Sequence, residues 1–189
     1  MKRLLFLTIV IAGGFLHGLQ FAQASCAPLA YQQVADEWQV PADVLYAISL
    51  VESGRKTEQY GFNLWPWALN IDGQSHYPAS QEDALKLIQD ALARGTDKIA
   101  IGLMQVFWSI HQDKFNRNPA YALDIASNIR AGAKILREFM DGAPDIWTAV
   151  GYYYAGTAQT DRSKQHAKTY TDRVQRFYVR HVIGRCHDR

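Results

Sequence analysis

The sequence predicts a mainly helical α+β fold with one small irregular β region. Apolar residues recur at helical spacing in several stretches, most of them opened by a Pro or a capping polar residue. One interval, 54–79, breaks that pattern, with Gly61, Pro66, Gly73 and Pro78 set among Tyr60, Phe62, Trp65, Trp67 and Tyr77. No repeat, low-complexity tract or long linker divides the chain, which reads as one domain.

Pro41 pre-sets the first turn of a helix that runs to about Ser53. Along it Val44, Ala47, Ile48 and Val51 share one face, and Glu52 sits at the border of that face before Gly54 offers a stop. The aromatic interval reads as an irregular loop or short β-hairpin region, with Asp72-Gly73 as its turn. Ser80-Gln81-Glu82-Asp83 has the form of a capped start to a helix reaching about Arg94. Asn118-Pro119 opens another helical region, whose inward stripe is Ile125, Ile129, Gly132, Leu136 and Phe139. Pro144 opens a helix through Tyr152-Tyr153-Tyr154, and a last long helix covers about 162–182.

Residues 1–24 have the form of an export signal. Lys2 and Arg3 supply the basic start, Leu4 to Leu16 the apolar run, and Ala22-Gln23-Ala24 a cleavage site before Ser25. His17 and Gln20 interrupt the apolar run short of the ~20 residues that span a bilayer. Cys26 just past the cut raises a lipoprotein as an alternative, but Gln23 stands where a lipobox has an aliphatic residue. The expected mature domain is therefore 25–189, periplasmic and without a stable membrane span.

The chain holds 20 Lys and Arg against 18 Asp and Glu, so losing Lys2 and Arg3 leaves it formally neutral. That balance argues against a nucleic-acid binder. Residues 161–189 keep eight Lys or Arg against three Asp, which fits either a solvated helix face or contact with an anionic cell-wall polymer. Cys26 and Cys186 are the two cysteines; in an oxidising compartment they are expected to pair and tie the termini together. No recognised Cys/His ligand spacing indicates a metal.

Four short motifs follow one another along the chain. They are Glu52-Ser53, Gly102-Leu103-Met104-Gln105-Val106, Ala126-Ser127-Asn128-Ile129 and Tyr153-Tyr154-Ala155-Gly156. Each alone has an ordinary structural reading: a surface Glu at a helix end, a buried apolar turn, a buried polar brace, aromatic packing. A negative charge at a helix C-terminus opposes the helix dipole, which hints at another purpose for Glu52. In this order the motifs resemble the soluble lytic transglycosylase family, the goose-lysozyme-like enzymes that cleave peptidoglycan, from about Val34 to Tyr178. The segment from Trp65 to Gly73 further resembles an insertion of transglycosylases associated with conjugation, secretion and pilus machines.

The resemblance implies a lysozyme-like fold and the following roles. Glu52 is the catalytic acid, with Ser53 and Tyr153 in support, the Tyr153 hydroxyl approaching the Glu52 carboxyl. Gln105, Met104 and Tyr154 are substrate-binding candidates, Met104 by an apolar surface beside the acid. Asn128 is either a groove residue or a hydrogen-bonding brace. Phe107 and Tyr154 depart from the family, which carries Asn at both positions. No cofactor is implied. The expected reaction cleaves the MurNAc–GlcNAc β-1,4 bond and leaves 1,6-anhydromuramyl ends, for local wall remodelling around an envelope-spanning machine. The alternatives are a wall-binding or assembly factor without turnover, and a hydrolytic muramidase. Asp72 and Asp113 are the rival acids.

Overall fold

The computed structural model describes residues 25–58 and 61–186; the expected export signal at 1–24 lies outside them. Its helices are α1 (Leu29–Trp38), α2 (Ala42–Ser53), α3 (Gln81–Ala93), α4 (Trp108–His111), α5 (Pro119–Ala122), α6 (Ile125–Met140), α7 (Ile146–Ala155) and α8 (Asp161–Phe177). After α8 the chain continues as a π-helical turn, Tyr178–Ile183, and a last turn, Gly184–Cys186. Six short strands fill the gap between α2 and α4: β1 (Gly54–Thr57), β2 (Gly61–Leu64), β3 (Leu69–Ile71), β4 (Gln74–His76), β5 (Ile99–Ile101) and β6 (Val106–Phe107). The expected α+β, mainly helical, lysozyme-like class is the one observed.

Helix α2 forms the centre. Its expected inward residues Val44, Ala47, Ile48 and Val51 are buried, and so are Leu45, Ser49, Leu50 and Ser53, because α1, α6, α8 and the π-helical turn surround it. A helix covered on nearly every side must be apolar on nearly every side. Its two buried serines satisfy their hydroxyls within the helix, Ser49 donating to the Tyr46 carbonyl (2.8 Å) and Ser53 to the Ser49 carbonyl (3.0 Å). At its end Gly54 leaves room for the next hairpin: a Cβ there would collide with the Leu50 carbonyl and the Phe62 ring.

The strands form two antiparallel sheets, β1–β2 and β4–β3–β5–β6. Asp72 and Gly73 both adopt positive φ (50° and 85°) in the two-residue turn between β3 and β4, as a twisted hairpin requires. The Ser80 hydroxyl accepts the Asp83 amide (3.1 Å) at the start of α3, and the Asn118 side chain accepts the Ala120 amide (3.0 Å) at the start of α5. Three expectations shift. Ile125 is 43% exposed, because it occupies the first turn of α6 ahead of the buried stripe Ile129, Gly132 and Leu136. Helix α7 starts after Asp145, whose carboxylate caps the Trp147 and Thr148 amides, so Pro144 precedes the cap. Helix α8 ends at Phe177, with the π-helical turn beyond it.

Cys26 and Cys186 form a disulfide across a separation of 160 residues. Nearby, Asp43 at the start of α2 accepts from the Ser25 hydroxyl and from the Cys26 and Ala27 amides at 2.7–2.8 Å. Closing so long a loop lowers the entropy of the unfolded chain by an amount worth about 4–5 kcal/mol. Reduction should therefore lower the urea-unfolding free energy by about 3–5 kcal/mol. Non-reducing peptide mapping should recover the cross-linked Cys26–Cys186 peptide, and two alkylatable thiols would contradict the pairing.

Candidate active site

Glu52 is the penultimate residue of α2 and reaches the wall of a cleft of ≈ 460 Å³. Asn70 from β3, Gln105, Phe107 and His111 around β6 and α4, and Tyr152 to Tyr154 from α7 line the same cleft. Glu52 is the sole acidic residue lining it among the described residues. The Tyr170 hydroxyl, from α8, donates a hydrogen bond to the Glu52 carboxyl. Desolvation raises the Glu52 pKa from 4.5 to about 7, against the opposing effects of the Tyr170 hydrogen bond and the nearby Arg173 charge. Burial therefore outweighs both stabilising partners, and a substantial fraction of Glu52 carries its proton at neutral pH.

The segment 102–105 makes a tight turn that brings Gln105 into the lining of the same cleft. Gly102 has φ +77°, and a Cβ on it would lie 2.6 Å from the Asn128 side-chain nitrogen, so only glycine fits there. Asn128, 1% exposed, accepts from the Met104 amide (2.9 Å) and donates to the carbonyls of Ile101 (2.9 Å) and Ala122 (3.0 Å). With these bonds made inside the protein, Asn128 has the geometry of a brace and does not face the groove. Gln105 sits at φ 45° and donates its side-chain amide to the Ala68 and Gly102 carbonyls, both at 3.0 Å. Its side-chain oxygen is the remaining acceptor in a residue that lines the cleft.

Two other candidate side chains are buried. Met104 is fully buried and packs against Gly132 of α6, where an added Cβ would meet its Cγ at 2.6 Å. It supplies core volume and two backbone contacts, and at 0% exposure it presents no open surface to the cleft. The Ser53 side chain is buried and bonded to α2 itself, so its link to the site runs through its carbonyl, which accepts from the Trp65 amide (3.0 Å).

The three consecutive tyrosines of α7 diverge by about 100° each. Tyr153 points inward and donates to the Met104 carbonyl (2.8 Å). The expected Tyr153–Glu52 hydrogen bond is thus replaced by one from Tyr170. Tyr153 nevertheless lies close enough to feel Glu52: burial first, and then the Glu52 charge, push its phenol well above the usual value. The same two causes hold the Tyr170 phenol up, so both rings remain neutral donors. Tyr154, 60% exposed, stacks on Tyr170 with ring centres 4.8 Å apart and planes 11° from parallel. Tyr152 meets Phe139 edge-on at 6.2 Å.

The lining also carries two exposed apolar side chains, Phe107 at 37% and Ile110 at 69% exposure. His111 beside them is held below its ordinary pKa by desolvation and then by Lys114, so at neutral pH it is an uncharged donor and acceptor. The rival acids lie elsewhere: Asp72 accepts from the Thr96 hydroxyl (2.8 Å) and Asp113 pairs with Arg117 (2.8 Å). A larger groove of ≈ 710 Å³ along the end of α8 has Asp172 as its carboxylate, and that group is bound to Lys168 (2.7 Å). It offers no desolvated acid. Among the described residues no cluster of three or more His, Cys, Asp or Glu is placed to hold a metal ion, and no helix is long and apolar enough to cross a membrane.

The Transglycosylase SLT domain family matches residues 30–175, a span that contains every residue of the cleft. The chain belongs to this family. No curated protein and no solved structure gives a match. Transglycosylase activity on peptidoglycan is the general activity of the family. In this SLT domain sequence reasoning missed Tyr170. The available signal was an aromatic residue on the Ala167, Tyr170, Val174 stripe of an otherwise strongly charged helix; nothing in the sequence aimed it at an acid 118 positions away.

Proposed function

We propose that this SLT domain is a lytic transglycosylase in which Glu52 acts alone, first as acid and then as base. The observation that carries the reading is a single desolvated carboxyl on the wall of a cleft otherwise lined by amides, aromatic rings and apolar side chains. The protonated Glu52 gives its proton to the glycosidic oxygen between MurNAc and GlcNAc as the bond to the muramyl anomeric carbon breaks. The resulting carboxylate then takes the proton of the muramyl 6-hydroxyl, whose oxygen closes on the anomeric carbon. A 1,6-anhydro end forms, no water is consumed, and Glu52 regains its proton. Glycosidases that use water position a second carboxylate across the bond, and the cleft lining supplies no such group. Tyr170 orients the carboxyl, while Gln105 and Tyr154 offer an amide oxygen and an aromatic face to the sugar.

The export-signal pattern at 1–24 supports action in the periplasm, and the Trp65–Gly73 segment supports recruitment to a conjugation, secretion or pilus apparatus for local wall opening. Digestion of purified sacculi followed by mass spectrometry of the soluble muropeptides tests the reaction: anhydromuramyl ends are expected, and reducing ends would assign a hydrolase.

Tyr170→Phe removes a hydrogen bond that favours the ionised carboxyl, so the Glu52 pKa should rise further. The alkaline limb of the pH–rate profile should move to higher pH, and the maximal rate should fall by about 10- to 100-fold as the carboxyl loses its orientation. Tyr153→Phe should leave that limb in place, since its hydroxyl bonds the Met104 carbonyl. A shifted limb in Tyr153→Phe alone would reverse the assignment.

A further inference from the structure

A further cavity, of ≈ 300 Å³, lies on the hairpin that continues directly from the catalytic helix. Arg55, Leu64, Trp65, Pro66 and Trp67 line it. The Arg55 guanidinium lies 4.4 Å from the Tyr77 ring centre and 5.5 Å from that of Trp65. Those two rings meet edge-on (6.2 Å, 85°). Trp65 is itself fixed twice, its indole N–H donating to the Pro78 carbonyl (2.7 Å) and its amide to the Ser53 carbonyl (3.0 Å). The pocket is therefore anchored to the residue next to Glu52.

An arginine held against aromatic faces keeps its in-plane N–H groups for another partner, and the geometry of those groups suits a carboxylate. Among the described residues Arg55 takes part in no ion pair, and the pocket lining contains no acid. An exposed cation beside a small apolar cavity calls for a short ligand bearing both a carboxylate and small apolar groups. The muramyl residue of peptidoglycan carries such a group: an acidic stem peptide with alanine methyls, attached to the sugar whose bond Glu52 would cleave. We propose that the Arg55–Trp65–Trp67 pocket binds the stem peptide of the glycan strand, with Arg55 on a stem carboxylate and the indoles against its apolar side chains. This rests on the reaction proposed above. It makes the domain select stem-bearing stretches of the wall over stripped ones.

Two measurements test it. Initial rates are compared on glycan strands that keep their stems and on the same strands stripped of stems by an amidase. Wild type should show a KM lower by about tenfold on stem-bearing strands, the scale of one charge-assisted contact, with kcat little changed. In Arg55→Gln that ratio should fall towards one. Separately, the inactive Glu52→Gln protein is titrated with free L-Ala–D-Glu–diaminopimelate–D-Ala, following the indole N–H signals of Trp65 and Trp67 by NMR. Saturable shifts that Arg55→Gln abolishes support the site. Equal KM values on both substrates, or indoles that do not move, would overturn it. So would an equal response to an unrelated acidic peptide, which would assign the pocket to a protein partner. If neither strand yields anhydro ends, the reaction fails while the titration still decides the pocket.

Discussion

Glu52→Gln should lower the release of anhydromuramyl ends by a factor of about 10³ or more while the protein still folds and binds sacculi. The amide can accept the Tyr170 hydroxyl but has no proton to give to the glycosidic oxygen, and general acid–base groups contribute about 10²–10⁴. The same change should raise stability, with a defined pH dependence. Folding raises the Glu52 pKa from 4.5 to about 7, so between those values the folded protein keeps a proton that the unfolded chain has released. The stability tied to this carboxyl is fully present below about pH 4.5 and is lost as pH rises through about 7. Glutamine undergoes no such loss. The advantage of the variant should grow from near zero at pH 4 to about 2–3 kcal/mol above pH 8, allowing for the part of the carboxyl that faces the cleft. Urea unfolding at the two pH values measures it; a variant less stable than wild type at pH 8 would contradict the desolvation of Glu52.

Among single substitutions, the largest loss of stability should come from Asn128→Ala. That side chain joins the Met104 amide to the Ile101 and Ala122 carbonyls at 2.9–3.0 Å in a site 1% exposed. Truncation leaves one buried donor and two buried acceptors without partners, together with a cavity, for a cost of about 3–5 kcal/mol. The turn carrying Gln105 loosens at the same time, so activity per folded molecule should fall as well. Asn128→Asp keeps the acceptor for the Met104 amide but loses both donors and places a charge in the core, and should be no better. Urea titration checks the pair; a loss below about 1 kcal/mol would show that the brace carries little of the turn's stability.

What the sequence revealed followed from local rules. Helix α2 was legible because its apolar spacing is continuous from Val44 to Val51 and Pro41 and Gly54 punctuate it. The β3–β4 hairpin was legible from Asp72-Gly73, since few residue pairs accept positive φ at both turn positions. The choice of Tyr153 among the three tyrosines followed from the register of Ala155-Gly156 in the resemblance, with helical geometry allowing only one of them to face the acid. Its acceptor did not follow: its hydroxyl feels the Glu52 charge yet bonds the Met104 carbonyl, and only the three-dimensional path of the 102–105 turn decides between them. The buried fate of Met104 likewise depends on the gap that Gly132 leaves in a helix far along the chain. Tyr170 was invisible for the same reason, because its role exists only once α8 has packed on α2. Helix α1 was not anticipated. Its first buried side chain, Tyr31, gains its meaning only from the ring of Tyr46 on α2, 5.0 Å away.

The central claim is that a lone, desolvated Glu52 breaks the glycan without water. Digesting purified sacculi in water enriched in oxygen-18, followed by mass spectrometry of the released muramyl ends, tests it most directly. The account predicts anhydro ends that carry no label, in amounts that vanish with Glu52→Gln. Oxygen-18 in reducing muramyl ends would mean that water attacks the anomeric carbon, and would contradict it.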